Sequence, residues 1–142
     1  MKIQQLSLFL ENKPGHLNAI CRTLADAKIN ILTLSLADTQ QFGIVRLIVT
    51  EWERAKAVLE KAGYVVNLRE VVAVSVADRP GGMAELLDVI GQSGVNIEYM
   101  YAFTSHHGEA AILVFRFDDP DKAITALTAA GRCPIDVVAL FS

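Results

Sequence analysis

The chain has 142 residues, 52% of them hydrophobic and 20% charged, and a net charge of −3. That length suits one domain or two very small ones and lets ~68% of the unfolded surface be buried, while the composition excludes disorder and the charge leaves no basic footprint for nucleic acid. The start, Met1-Lys2-Ile3-Gln4-Gln5, lacks the apolar core of a signal peptide, and no apolar run approaches ~18 residues, so a cytoplasmic protein without a membrane partner is expected.

In chain order, Leu6, Leu8 and Leu10 alternate with Ser7 and Phe9, the period of a strand. Leu17, Ile20, Cys21 and Leu24 follow at helical spacing. Residues 29–37 alternate again through Leu32, Leu34 and Leu36; polar residues 38–41 turn the chain, and 42–49 form a further strand. Thr50 and Glu53 have the spacing of a capping box for a helix whose stripe is Ala55, Val58, Leu59 and Ala62, ended by Gly63. Tyr64-Val65-Val66 reads as a short closing strand. Cys21 and Cys133 form no paired motif and are expected to be incidental thiols in a reducing compartment.

The order then repeats. Val72, Val74 and Val76 stand where Leu6, Leu8 and Leu10 stood, at an offset of 66 (72 minus 6). Met83, Leu86, Leu87 and Ile90 repeat the first helix stripe, and Val95-Asn96-Ile97 matches Ile29-Asn30-Ile31. Beyond the second strand the offset becomes 68 (131 minus 63, between glycines). Asp119-Pro120 is expected to cap a helix carrying Ala123, Ala126, Leu127 and Ala130, and 135–141 to form a last strand. Each half reads β-α-β-β-α-β, which predicts an α+β fold of two ferredoxin-like repeats, 1–68 and 69–142, with antiparallel sheets and both helices on one face. The first and third strands of each should be central. Near-continuous apolar runs at 44–49 and 110–117 predict that the other sheet face is covered as well, by the other half or a second chain. Tyr99, Tyr101 and Phe103 replace Thr33, Ser35 and Ala37 and suit packing or a pocket lining.

The repeated stretch is Leu10-Glu11-Asn12-Lys13-Pro14-Gly15-His16-Leu17 and Val76-Ala77-Asp78-Arg79-Pro80-Gly81-Gly82-Met83. Each copy opens a helix at a strand end, so the first helical N–H groups, aided by the helix dipole, suit a carboxylate. Glycine removes the Cβ that would keep a ligand from the backbone. Asn12 or Asp78 can accept from an ammonium, and Asn30 and Asn96 offer both donor and acceptor. Bland readings stand beside these: Pro-Gly is an ordinary way into a helix, Asn12, Asp78, Asn30 and Asn96 suit caps or turns, and Lys13 and Arg79 suit solvated surface. His16 falls in the first helical turn. His106-His107 has no nearby Cys and no i, i+4 partner, so no metal is expected. Trp52 suits packing at a helix start.

An Asn or Asp, any residue, Pro-Gly, a helix, and then Val/Ile-Asn-Ile opening the next strand resembles the ACT domain family of amino-acid-sensing regulatory modules. The resemblance covers almost the whole chain as two tandem copies. Asn12-Lys13-Pro14-Gly15 with Ile29-Asn30-Ile31 is similar to the regulatory domain of phosphoglycerate dehydrogenase, and Asp78-Arg79-Pro80-Gly81 with Val95-Asn96-Ile97 to the aspartokinase variety. It implies a free amino acid bound between two paired domains by Asn12, Lys13, Pro14, Gly15, His16, Leu17, Asn30 and Ile31 in one repeat. The counterparts are Asp78, Arg79, Pro80, Gly81, Gly82, Met83, Asn96 and Ile97. A stand-alone regulatory homodimer is then expected, acting on its assembly or on a metabolic enzyme, with no cofactor and no catalytic residues. Two alternatives remain: a subunit that binds an enzyme through its sheets without a ligand, and an acylphosphatase-like hydrolase that would need Arg79 and Asn96 to converge.

Overall fold

The computed structural model describes residues 2–11, 13–38, 41–104 and 110–136, with the side chains of Asp38, Phe103 and Thr104 left aside. The chain divides into two compact units, Gln4–Arg69 and a second made of Glu70–Ser142 with Met1–Ile3.

The first unit contains β1 (Ile3–Glu11, its first residue in the other unit), α1 (His16–Asp26), β2 (Ile31–Asp38), β3 (Phe42–Val49), α2 (Trp52–Lys61) and the start of β4 (Val66–Ala77). Both β1 and β2 pair antiparallel with β3, and β4 neighbours β1, so the order is β2-β3-β1-β4. The first and third strands are central, as expected. Alternation explains the core. Leu6 and Leu8 of β1 and Val45, Leu47 and Val49 of β3 point to one face, where they meet Ile20 and Leu24 of α1 and Ala55 and Leu59 of α2. Each fully buried leucine here contributes roughly 1.5–3 kcal/mol. Trp52 packs against this core from the start of α2.

The second unit repeats the design with the rest of β4, α3 (Gly82–Ser93), β5 (Ile97–Thr104), β6 (Ala110–Phe117) and α4 (Pro120–Ala129). β6 pairs antiparallel with β4 and β5, and Ile135 bridges Ala73 on the other side of β4, which makes β4 and β6 central. Val72, Val74, Val76, Leu113, Phe115 and Phe117 face Leu86, Ile90, Ala123 and Leu127 of the helices, and the Phe115 and Phe117 rings stack 5.2 Å apart. In both units part of the face turned from the helices is buried too, at Gln5, Thr33 and Ile48 in one, where Phe9 stays exposed, and at Ala73, Ile112 and Val114 in the other. That accounts for the near-continuous apolar runs on β3 and β6.

Three readings are corrected. The expected strand at 64–66 is absent as a separate element: Tyr64 and Val65 precede β4, which runs unbroken from Val66 to Ala77. No glycine or proline interrupts that stretch, so nothing turns the chain there. The Thr50–Glu53 capping box does not form. The N-cap of α2 is Glu51, with no side-chain cap, because the Thr50 hydroxyl is turned toward the start of β2, where it accepts from the Asn30 N–H at 3.4 Å. The second strand begins at Ile31, and Ile29 is a buried core residue just before it. Asp119 and Pro120 do cap α4 as expected, with the Asp119 carboxylate accepting from the Lys122 N–H at 3.1 Å. Residues 137–141 of the expected last strand, and His106-His107, lie outside the described residues. Among the described residues no helix is long and apolar enough to cross a membrane, and no His, Cys, Asp and Glu side chains are grouped to hold a metal. Cys21 is half-buried and Cys133 exposed, both as free thiols.

Candidate functional site

The two Pro-Gly stretches fold alike. The His16 N–H donates to the Lys13 carbonyl at 3.3 Å, and the Gly82 N–H donates to the Arg79 carbonyl at 3.0 Å. Proline sits second and glycine third in each of these four-residue turns. Gly15 has φ 86° and ψ −12°, and Gly81 has φ 87° and ψ −13°. These are type II β-turns, whose third residue must take a positive φ. Gly15 and Gly81 are therefore required by conformation rather than space, since a β-carbon on either would meet nothing. Gly82 is required by space: a β-carbon there would overlap the Ala77 carbonyl oxygen. Its counterpart His16 has room for a side chain.

The same glycines are the N-caps of α1 and α3, and neither helix has a side-chain cap. The helical ladders begin with Ala19 N–H to Gly15 and Glu85 N–H to Gly81. The turns use the His16 and Gly82 N–H groups. The N–H groups of Leu17 and Asn18, and of Met83 and Ala84, have no acceptor among the described residues. Each repeat thus presents two adjacent unpaired donors at the positive end of a helix, an arrangement suited to an anion.

The flanking charges differ. Lys13 pairs with Glu11 at 2.9 Å, and its hydrogen bond and charge hold the Glu11 carboxyl below the usual range. Arg79 donates one guanidinium nitrogen to both oxygens of Glu85, at 2.8 and 3.0 Å, with Arg132 3.6 Å from the same carboxylate. Beside the first mouth lies a cavity of about 270 Å³ lined by Phe9, Leu10, Glu11, His16, Ala19 and Tyr64. Of these, only His16 belongs to the ligand-binding set that the family resemblance implies. The signal for the rest was the departure from the repeat: Phe9, Glu11, Ala19 and Tyr64 correspond to Ser75, Ala77, Glu85 and Arg132.

Lys13, Pro14, Gly15, His16 and Leu17 come together in one repeat, and Asp78, Arg79, Pro80, Gly81, Gly82 and Met83 in the other. Leu17 and Met83 turn their side chains to the cores and leave the mouths only their backbone. Asp78 is exposed, and Asn12 lies outside the described residues. Asn30 and Asn96 are not at the mouths. Glu11 pairs with Phe42 at the start of β3, whereas Ile31 pairs with Val49 at its end. Seven strand steps at ~3.3 Å separate those ends by about 23 Å. Asn96 is removed from its own mouth in the same way, with Ala77 opposite Ala110 and Ile97 opposite Phe117. Arg79 and Asn96 therefore do not converge within their unit, as the acylphosphatase-like alternative would need them to do in a single repeat. The backbones of both asparagines are tied down. Asn30 and Thr50 exchange bonds of 3.4 and 3.1 Å, and Asn96 and Asp118 exchange bonds of 2.9 and 3.1 Å. Their side-chain amides carry no bond to the described residues. Ile31 and Ile97 pack on their cores.

Two βαββαβ units, each opened by a Pro-Gly turn at a helix start, define a duplicated ferredoxin-like fold. The family model described as an ACT domain pair matches residues 1–130, and the chain belongs to that family. ACT domain pairs are regulatory, amino-acid-sensing modules as a type. Protein BT0572 from Bacteroides thetaiotaomicron is 35% identical, with a TM-score of 0.93, over 100% of this chain and 97% of that one. The fold is also similar to the ligand-free regulatory subunit of aspartate kinase from Thermus thermophilus (TM-score 0.69, 21% identity, 92% and 91% of the two chains). The regulatory subunit of aspartate kinase from Thermus flavus is comparable (0.64, 20%, 90% and 92%). None of the curated proteins compared matches the chain.

Proposed function

We propose that this protein is a regulatory ACT pair that binds a free amino acid and signals through its assembly or through a metabolic enzyme, without catalysing a reaction itself. The observation that carries the reading is the twice-built mouth: a type II turn ending in an uncapped helix with two unpaired N–H groups. Those donors suit the ligand carboxylate, and Glu11 at the first mouth or Asp78 at the second suits its ammonium. Because Asn30 and Asn96 lie at the opposite end of the sheet from their own mouths, seven strand steps or about 23 Å along β3 and β6, a second copy of the chain brings an asparagine amide to the bound ligand. Ligand then links two chains and shifts the population toward the homodimer. An enzyme partner is in keeping with the two Thermus neighbours, which are regulatory subunits of aspartate kinase and resemble this chain in fold.

The experiment is a thermal-shift screen of the full chain against each proteinogenic L-amino acid, with light scattering for mass. One amino acid, or a chemically related few, should raise the melting temperature, since ligand at about 100 times its Kd adds ~2.7 kcal/mol to the folded state. The mass should rise toward a dimer with the same compounds. A flat panel would overturn the reading.

A further inference from the structure

The two mouths are not equivalent. The first turn of α3 carries Glu85, whereas α1 has no acidic residue there and places Ala19 at the matching position (85 minus 66). Glu85 receives both hydrogen bonds from Arg79 and lies 3.6 Å from Arg132. The matching residues of the first repeat are Lys13 and Tyr64, and Lys13 turns away to Glu11 on the strand end. So in the second repeat a carboxylate already stands in the first helical turn, complements the helix dipole, is hydrogen-bonded by Arg79 and is ion-paired with Arg132. In the first repeat that place is empty of charge, and the cavity of about 270 Å³ opens beside it.

We infer that the first mouth alone takes up the amino acid, one per chain, and that Glu85 with Arg79 and Arg132 closes the second mouth to anions. The inference rests on the amino-acid reading above and says which of its sites works. An incoming carboxylate at the second mouth meets the charge of Glu85 and finds both arginines engaged. At the first mouth it meets the Leu17 and Asn18 N–H groups, with Phe9, Leu10 and Tyr64 lining the cavity for a side chain. Glu11 on the same wall, whose pair with Lys13 is exposed to solvent and readily exchanged, can take the ammonium in place of Lys13 and disfavours a second carboxylate on the ligand. The ligand class is therefore an α-amino acid with an uncharged, largely apolar side chain.

The test is a titration of the 15N-labelled full chain with sodium acetate, against sodium chloride at equal ionic strength, followed at four backbone amides. Leu17 and Asn18 should respond with an apparent affinity at least about tenfold above that of Met83 and Ala84, the worth of one charge-assisted hydrogen bond. In Glu85→Gln, Met83 and Ala84 should begin to respond while Leu17 and Asn18 stay as they were. Equal response of both pairs in the unmodified protein, or response of neither, overturns the inference without need of the variant. Response at Leu17 and Asn18 alone, with no stabilising amino acid in the thermal screen, would uphold the unequal mouths and remove the amino-acid reading. A stabilising amino acid that moves both pairs alike would do the reverse.

Discussion

Gly82 stands so close to the carbonyl oxygen of Ala77 that a β-carbon could not be added without moving backbone, whereas the same position of the first repeat is held by His16. The duplicated turn thus tolerates a side chain in one copy and not in the other. Gly82→Ala should lose roughly 1–3 kcal/mol, the range for overpacking a filled site. Gly15→Ala should lose about 1–2 kcal/mol for another reason, the positive φ at a place with open space. Urea denaturation of the two variants checks both. A Gly82→Ala as stable as the parent would show that the turn relaxes freely.

Thr33 is buried on the sheet face away from the helices, opposite Ile48, and its hydroxyl has no partner among the described residues. Thr33→Val keeps the shape and removes the unpaired group. The expected result is a gain of about 1 kcal/mol, with a higher urea midpoint at unchanged slope. A loss would mean that the hydroxyl has a partner, such as an ordered water.

Asp119 and Thr50 separate a working cap from one suggested by spacing alone. Asp119→Ala removes a carboxylate that accepts from the Lys122 N–H and should cost about 1 kcal/mol. Thr50→Val removes only a long bond from the Asn30 N–H, so its loss should be about half that. Equal losses by urea denaturation would contradict the assignment of the α2 cap to Glu51.

These positions show what could be read from the chain itself. Period-two and helical spacing depend on local geometry, so β1, both helices of each repeat and the central strands were legible from Leu6, Leu8, Ile20, Leu24 and their counterparts. The Pro-Gly turns were legible because proline and positive-φ glycine leave few alternatives. The destination of the Thr50 hydroxyl was not, since it bonds a residue twenty positions earlier. The distance between Asn30 and its own mouth was not visible either. A regular interval from glycine to asparagine says nothing of a β-strand that carries the chain to the opposite end of the sheet. Glu85, Arg79 and Arg132 joined only in space, although their absence from the first repeat was written in the alignment of the halves.

The last expectation concerns acid. The hydrogen bond and charge of Arg54 hold the Glu51 carboxyl below the ordinary value of 4.5, as Lys13 does for Glu11. A group whose pKa is depressed in the folded state stabilises it above the unfolded pKa, and that contribution disappears as pH falls through the folded value. Glu51→Gln should therefore melt slightly below the parent near neutral pH. As the pH drops through about 4.5 and lower, the parent loses the Arg54 pairing and the two melting curves should converge. Both side chains are exposed, so added salt should shrink the neutral-pH difference as well. Calorimetric scans from about pH 7 to about pH 3, at low and high salt, check this. A gap between the proteins that widens toward acid would show that Glu51 is held by something other than its ion pair.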